Sequence, residues 1–151
     1  MQFWIDADSC PVPIRELIQR AAVRNGIKVL FVANRKIPFP DNPLFQMIVT
    51  SAAENSADDY IVENAGRNDL VITRDIPLAS RLVEKKIDVI NDRGVLYTES
   101  NIRERLSVRD FMLSLAMNGL KPESTSRLGK KEIHEFANCF DKILQKKLKN
   151  S

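Results

Sequence analysis

The sequence predicts an α/β domain, a three-layer α/β/α sandwich around a mainly parallel five-stranded sheet. Three observations carry that expectation. Short apolar runs at residues 3–5, 27–33, 45–49, 69–73 and 88–91 recur along the chain. They are hydrophobic on both faces, as strands covered on both sides must be. Stretches with apolar residues at helical spacing alternate with them, and strand–helix–strand units joined by short loops require parallel pairing.

The first strand, Phe3-Trp4-Ile5, runs directly into Asp6-Ala7-Asp8-Ser9-Cys10-Pro11. If extended geometry persists through Asp8, Asp6 and Asp8 share one face. Two carboxylates at the carboxyl end of a central strand repel, and ionise together only with a cation or strong donors between them. The pair is therefore the seed of a divalent-metal site. On the plainer reading, one acid caps the following helix and the other is solvated.

Residues 12–25 place Ile14, Leu17, Ile18, Ala21 and Ala22 at helical spacing, with Pro11 or Pro13 in the first turn and Gly26 as the cap. Residues 27–33 form the second strand. Residues 34–43 hold Pro38, Pro40 and Pro43 and read as a loop before the third strand. A helix follows over residues 56–65, with Ser56 as N-cap and Asp58 and Asp59 in its first turn. Asp69 fits a structural turn before the fourth strand. Asp75 follows that strand, and Ile76-Pro77 opens a helix to about Lys86. After the fifth strand, Asp92-Arg93-Gly94 makes a turn and residues 95–98 a short extended piece. Ser100 or Asn101 should cap a helix reaching about Asn118, burying Ile102, Leu106, Phe111, Met112 and Leu115. Residues 120–129 read as a polar linker. A last helix, residues 130–148, carries the stripe Ile133, Phe136, Ala137, Phe140, Ile143 and Leu144, suited to core or to a homodimer seam.

A chain of 151 residues, 44% hydrophobic and 28% charged, is expected to form one domain spanning residues 1–151, with a helical extension from about residue 120. No apolar run is long enough to cross a bilayer, and the start lacks a signal-peptide pattern, so a cytoplasmic location is expected. Two cysteines and one histidine exclude a disulfide framework and catalysis built on several histidines. Chemistry must rest on carboxylates, hydroxyls and basic residues. Residues 121–151 carry eight basic and four acidic side chains, against fifteen and sixteen before them. A basic tail on an acidic body suits either an anionic polymer or a solvated helix end.

The acids should converge. Asp6 ends strand one, Asp75 follows strand four, and Asp58 lies in the first turn after strand three. In parallel sheets those positions share one edge, where ligands bind at the reversal of strand order. If strand four lies beside strand one, as in the order 3-2-1-4-5, Asp6 and Asp75 are near neighbours. Each acid also has an ordinary role open to it, helix-dipole partner for Asp58 and N-cap for Asp75.

The stretches Phe-Trp-Ile-Asp-Ala-Asp-Ser-Cys-Pro-Val, Ser-Ala-Asp, Asn-Asp-Leu-Val-Ile-Thr-Arg-Asp-Ile-Pro-Leu-Ala, Asn-Asp-Arg-Gly, Arg-Asp-Phe-Met and Phe-Ala-Asn resemble the YaiI/YqxD family over almost the whole chain. That family looks related to PIN-like nucleases. The resemblance implies a PIN-like sheet of order 3-2-1-4-5 and a nuclease hydrolysing RNA or single-stranded nucleic acid with Mg²⁺ or Mn²⁺. It implies Asp6, Asp58 and Asp75 as metal ligands, Asp8 as an extension of the first motif, and Thr73 beside the third acid. The ending Asp-x-Asp-x-Cys-Pro departs from typical PIN motifs, and no clear fourth acid follows Asp75, Asp92 being a weak candidate. Arg74, Arg93, Arg103, Arg105 and Arg109 are candidates to hold phosphates or else ordinary helix-surface or cap residues, with Arg103 and Arg109 favoured by their place in Ile-Arg-Glu-Arg-Leu and Arg-Asp-Phe-Met, which resemble the family pattern. Two rivals remain. A HAD-like phosphohydrolase would use Asp6 and Asp8 as nucleophile and acid/base. A non-catalytic domain would bind nucleic acid or protein on the same scaffold.

Overall fold

A five-stranded, all-parallel sheet of order β3-β2-β1-β4-β5 organises the chain. The structure is a computed structural model that describes residues 1–53, 55–119 and 128–150. Its elements in chain order are β1 (Gln2–Asp6), α1 (Val12–Asn25), β2 (Lys28–Ala33), β3 (Phe45–Val49), α2 (Ser56–Asn64), β4 (Leu70–Ile72), α3 (Ile76–Glu84), β5 (Asp88–Ile90), α4 (Glu99–Met117) and α5 (Lys130–Lys149). The expected linker at residues 120–127 lies outside the described residues.

Alternation along β1 divides the core in two. Phe3 and Ile5 face one side of the sheet, where α1 and α5 contribute Ile14, Ile18, Phe136, Phe140 and Leu144. Trp4 faces the other side, against Ile61 of α2, Leu78 and Leu82 of α3, and Ile102 of α4. The helices thus form two outer layers. The α5 stripe is seated in the core: Phe140 meets Phe3 edge-on at 5.1 Å and stacks on Phe136 at 5.5 Å.

The β2–β3 connection has no helix. Its prolines cannot donate to a ladder, and it is held instead by buried Ile37 and by Phe39 stacked on Phe31 at 5.2 Å. Asp69 is structural, as expected. It is buried and accepts from Gln2 N, Trp4 Nε1 and Gly66 N, each at 2.9 Å. Asp69→Ala removes the partner of three donors, each costing about 1 kcal/mol when left unmet, so a loss of about 2–3 kcal/mol is expected in urea unfolding. A loss under about 0.5 kcal/mol, within the range of an ordinary surface change, would show that water replaces the carboxylate.

Three local expectations are corrected. Helix α2 starts at Ser56, but its N-cap is Asn55 in the left-handed region at φ 63°, and the Ser56 hydroxyl instead pairs with Ser51. The cap of α4 is Thr98, not Ser100 or Asn101. Asn101 stands three residues on and completes a reciprocal capping box, donating to Thr98 Oγ1 and accepting from Thr98 N. On α4 only Ile102 is buried. Phe111 and Met112, expected inside, are 61% and 40% exposed, with Val108, Leu113 and Met117 also exposed. Only the first turns of α4 reach the core beside α3, through Ile102 and Leu106. Its carboxyl half has no neighbour to bury against among the described residues.

Candidate functional site

The parallel register carries β1, β2 and β4 to one carboxyl edge, and the side chains there surround an open cavity of about 460 Å³. Asp6, Asp8, Asp58 and Asp75 all line it, with Ser9, Asn34 and Arg74 among the other walls. Asp6 ends β1, Asp58 sits in the first turn of α2, and Asp75 caps α3 by accepting from Leu78 N at 3.0 Å. Asp75 therefore has its ordinary capping role and also stands in the acidic cluster.

Asp6 lies deepest, 7% exposed. Its Oδ2 accepts from Thr73 Oγ1 at 2.7 Å and Ser9 Oγ at 3.1 Å. Burial pushes its carboxyl above the usual range. The two hydroxyls pull it back, while Asp75 and Asp8 add to the rise. Thr73 is 1% exposed, and its hydroxyl also accepts from Asp75 N at 3.0 Å. One buried threonine thus ties the first acid to the backbone of the third.

The carboxyls of Asp58 and Asp75 are within hydrogen-bonding reach of each other. Burial, then the charges of Asp75 and Asp6, push Asp58 from 3.8 up to about 7, with Arg81 opposing. Ionised Asp58 is therefore costly unless a counter-charge offsets its neighbours. A group that titrates higher in the folded chain binds a proton on folding, so its stabilising effect is lost as pH rises from 3.8 to about 7. Thermal melts in chelator should show Asp58→Asn gaining on the wild type across that window. A gap that stays constant or narrows as pH rises would show that Asp58 is not strained by its neighbours.

Arg74 extends along the cavity wall and pairs with Asp92, which is buried. Asp92 is thus engaged with the arginine. Asp59 pairs with Arg81 at 2.8 Å and ties α2 to α3. Arg93, Arg103 and Arg109 are not among the residues lining this cavity. Arg109 borders a separate groove along α4 and pairs with Asp110 at 3.4 Å. Among the described residues, no three His, Cys, Asp or Glu side chains close on one point as a preformed metal cage. Cys10 is buried, and burial pushes its thiol up to about 12, so it stays protonated and packs. His134 is exposed on α5.

Sequence reasoning missed Ser9 and Asn34. Asn34 was available from the rule that identified Asp6, since it follows the end of β2 at the same edge. Ser9 reaches Asp6 only because the chain turns after β1, with Ser9 N donating to Asp6 O at 3.2 Å.

The family described as "Uncharacterized BCR, YaiI/YqxD family" matches residues 4–146. A UPF0178 protein of Treponema denticola is 52% identical over 99% of this chain and 95% of its own length. One of Treponema pallidum is 49% identical over 99% of this chain and 84% of its own length, and one of Psychromonas ingrahamii 45% identical over the full length of both. No solved structure gives a significant match. Among the described residues, no helix is long and apolar enough to cross a membrane. With a family match spanning nearly all of its length and relatives of this similarity from end to end, the chain belongs to the YaiI/YqxD family.

Proposed function

We propose that the protein is a PIN-like, divalent-metal-dependent hydrolase that cleaves phosphodiester bonds of RNA or other single-stranded nucleic acid in the cytoplasm. One observation carries this reading: Asp6, Asp8, Asp58 and Asp75, from three separate segments, line one open cavity at the carboxyl edge of β1 and β4.

The donor chemistry fits Mg²⁺ or Mn²⁺. The candidate ligands are hard oxygens, and the charges of Asp75 and Asp6 oppose ionisation of Asp58, an opposition that a cation would relieve. Mg²⁺ is usually held by one or two carboxylates and several waters, so a closed cage of three is not required. Asp6, Asp58 and Asp75 would hold the ion. Bound there, it supplies activation of a water and neutralisation of charge on the phosphate. Thr73 and Ser9 fix the Asp6 carboxylate. In the cation-free chain, burial and the neighbouring carboxylates push Asp58 up to about 7. Arg74, steadied by Asp92, faces the cavity where a phosphate oxygen would need a donor. Asp8 sits at the rim.

Among the described residues no lysine lines this cavity, which favours the nuclease over a HAD-like phosphohydrolase. Labelled RNA and single-stranded DNA incubated with the purified chain and Mn²⁺ should be cleaved, and chelator should stop it. The divalent ion alone should raise the melting temperature. Hydrolysis of a phosphate monoester with phosphate trapped on Asp6 would transfer the assignment to the HAD-like chemistry. Binding unaffected by chelator, with no cleavage in either metal, would leave a non-catalytic scaffold.

A further inference from the structure

Beside the acidic cavity lies a second one of opposite charge. It has a volume of about 470 Å³, and its polar walls come from Asp8, Arg15, Arg35 and Lys36. Among the described residues, Asp8 is the only carboxylate in it and also the one acid it shares with the first cavity. The two are therefore contiguous across Asp8, and the sign of the walls reverses there. On one side four aspartates face one arginine. On the other three cations face the single shared acid. The chain builds this step from two strand ends: Ser9 and Cys10 follow β1 into the two cavities, and Asn34 and Arg35 do the same after β2.

Arg35 leans towards Asp8, its Nε 3.8 Å from Oδ1, but stays 78% exposed. A contact that loose and that solvated leaves the guanidinium able to take a stronger partner. Arg15 is half-buried at the start of α1, and Lys36 is exposed on the loop after β2. Pro38 adds an exposed apolar surface at the same wall. Cations next to an exposed apolar surface are what a nucleotide needs, since its phosphate pairs with the charge and its ribose or base covers the apolar patch.

From this juxtaposition we infer that Arg15, Arg35 and Lys36 form a phosphodiester subsite for a single strand whose neighbouring phosphate lies in the acidic cavity. This rests on the nucleolytic reading above and deepens it. The acidic cavity can take a phosphate only together with a cation. The basic cavity takes the next phosphate directly, so it anchors the strand and leaves the reacting phosphate to the aspartates. Such a subsite contributes to affinity without any metal, and that separates it from the cleavage chemistry.

The test is fluorescence anisotropy of the full chain in chelator with a labelled oligouridylate of about 12 nucleotides, a length that single-strand sites span. The combined variant Arg15→Gln, Arg35→Gln, Lys36→Gln should lose at least about tenfold in affinity, and its log K against log salt slope should fall by about 2, at roughly 0.7 per lost contact on a single strand. A control, Lys142→Gln, Lys146→Gln, Lys149→Gln on α5, should stay within about twofold of wild type, as expected where no phosphate contact is lost. Equal losses in both variants, or an unchanged slope in the first, would overturn the subsite. So would a duplex of the same length showing the same dependence, because the site would then recognise any phosphate backbone. Strong binding that depends on Arg15, Arg35 and Lys36, with no cleavage in Mn²⁺, would remove the hydrolase and leave the subsite standing. Cleavage indifferent to the three cations would do the reverse.

Discussion

Asp6→Asn is expected to reduce Mn²⁺-dependent cleavage of RNA at least about a thousandfold, while the chain melts at the same temperature or higher. The loss follows from the position of Asp6. It is the buried member of the cluster, and in the proposed function its charge holds the ion. Charge stabilisation of that kind is worth several kcal/mol in the transition state, which corresponds to about three powers of ten. Stability should move the other way. Burial already pushes the Asp6 carboxyl up, and the nearby charges of Asp75 and Asp8 add to the cost of ionising it. Asparagine has the same size and no charge. Its two hydroxyl partners, Thr73 and Ser9, can rotate to donate or accept and so meet either end of the amide. The divalent ion should also lose its effect on the melting temperature in this variant. Retained cleavage would show that Asp6 is only a core polar group. Lost cleavage with a falling melting temperature would mean that the residue is structural, as Asp69 is. Asp69→Ala provides the contrast, with stability lost and chemistry intact in the molecules that stay folded.

Gly94→Ala is expected to cost about 2–5 kcal/mol, the sum of a left-handed penalty of about 1–2 and an overpacking penalty of about 1–3. Gly94 has φ 80°, and a Cβ there would stand 2.5 Å from Glu135 O and 2.8 Å from its carbonyl carbon. Those are backbone atoms of α5, so no side chain can swing aside. Either the turn after β5 or the whole helix must move, and α5 carries Phe136 and Phe140 into the core. Gly26→Ala is the internal control. Gly26 has a similar φ of 66° at the end of α1, but nothing lies within 4 Å of its Cβ position. It should lose only about 1 kcal/mol, the conformational share alone. Urea unfolding of the two variants side by side measures the difference. Equal losses would mean that α5 is not seated on the turn.

The strands and helices were legible because burial on two faces and helical spacing are local properties of the sequence. Phe3-Trp4-Ile5 had to be a covered strand, and the alternation of strands with helices left a parallel sheet as the economical arrangement. The convergence of Asp6, Asp8, Asp58 and Asp75 on one cavity followed in turn, because in parallel units strand ends and helix starts fall on the same edge. Helix caps were less legible. Asn55 and Thr98 displaced Ser56, Ser100 and Asn101 because the choice depends on the backbone angle at which the chain enters the helix, and several polar residues in a row are compatible with it.

Helical spacing in α4 showed which side chains share a stripe, not whether anything lies against it. Phe111 and Met112 have the pattern of core residues and yet face outwards. The arginines were the least legible of all. Arg74 reaches the cavity and Arg109 borders a groove along α4, although the sequence favoured Arg109.

By itself the sequence determined the fold class, the element order and the edge on which the acids gather, since each follows from short-range pattern and from the rules of parallel connection. Only the tertiary structure decided which acid is buried, which acid its neighbours make hard to ionise, which arginine a carboxylate steadies, and that a basic cavity adjoins the acidic one. Those outcomes turn on distances of a few ångströms between residues far apart in the chain, and charge and hydrogen bonding act at that range.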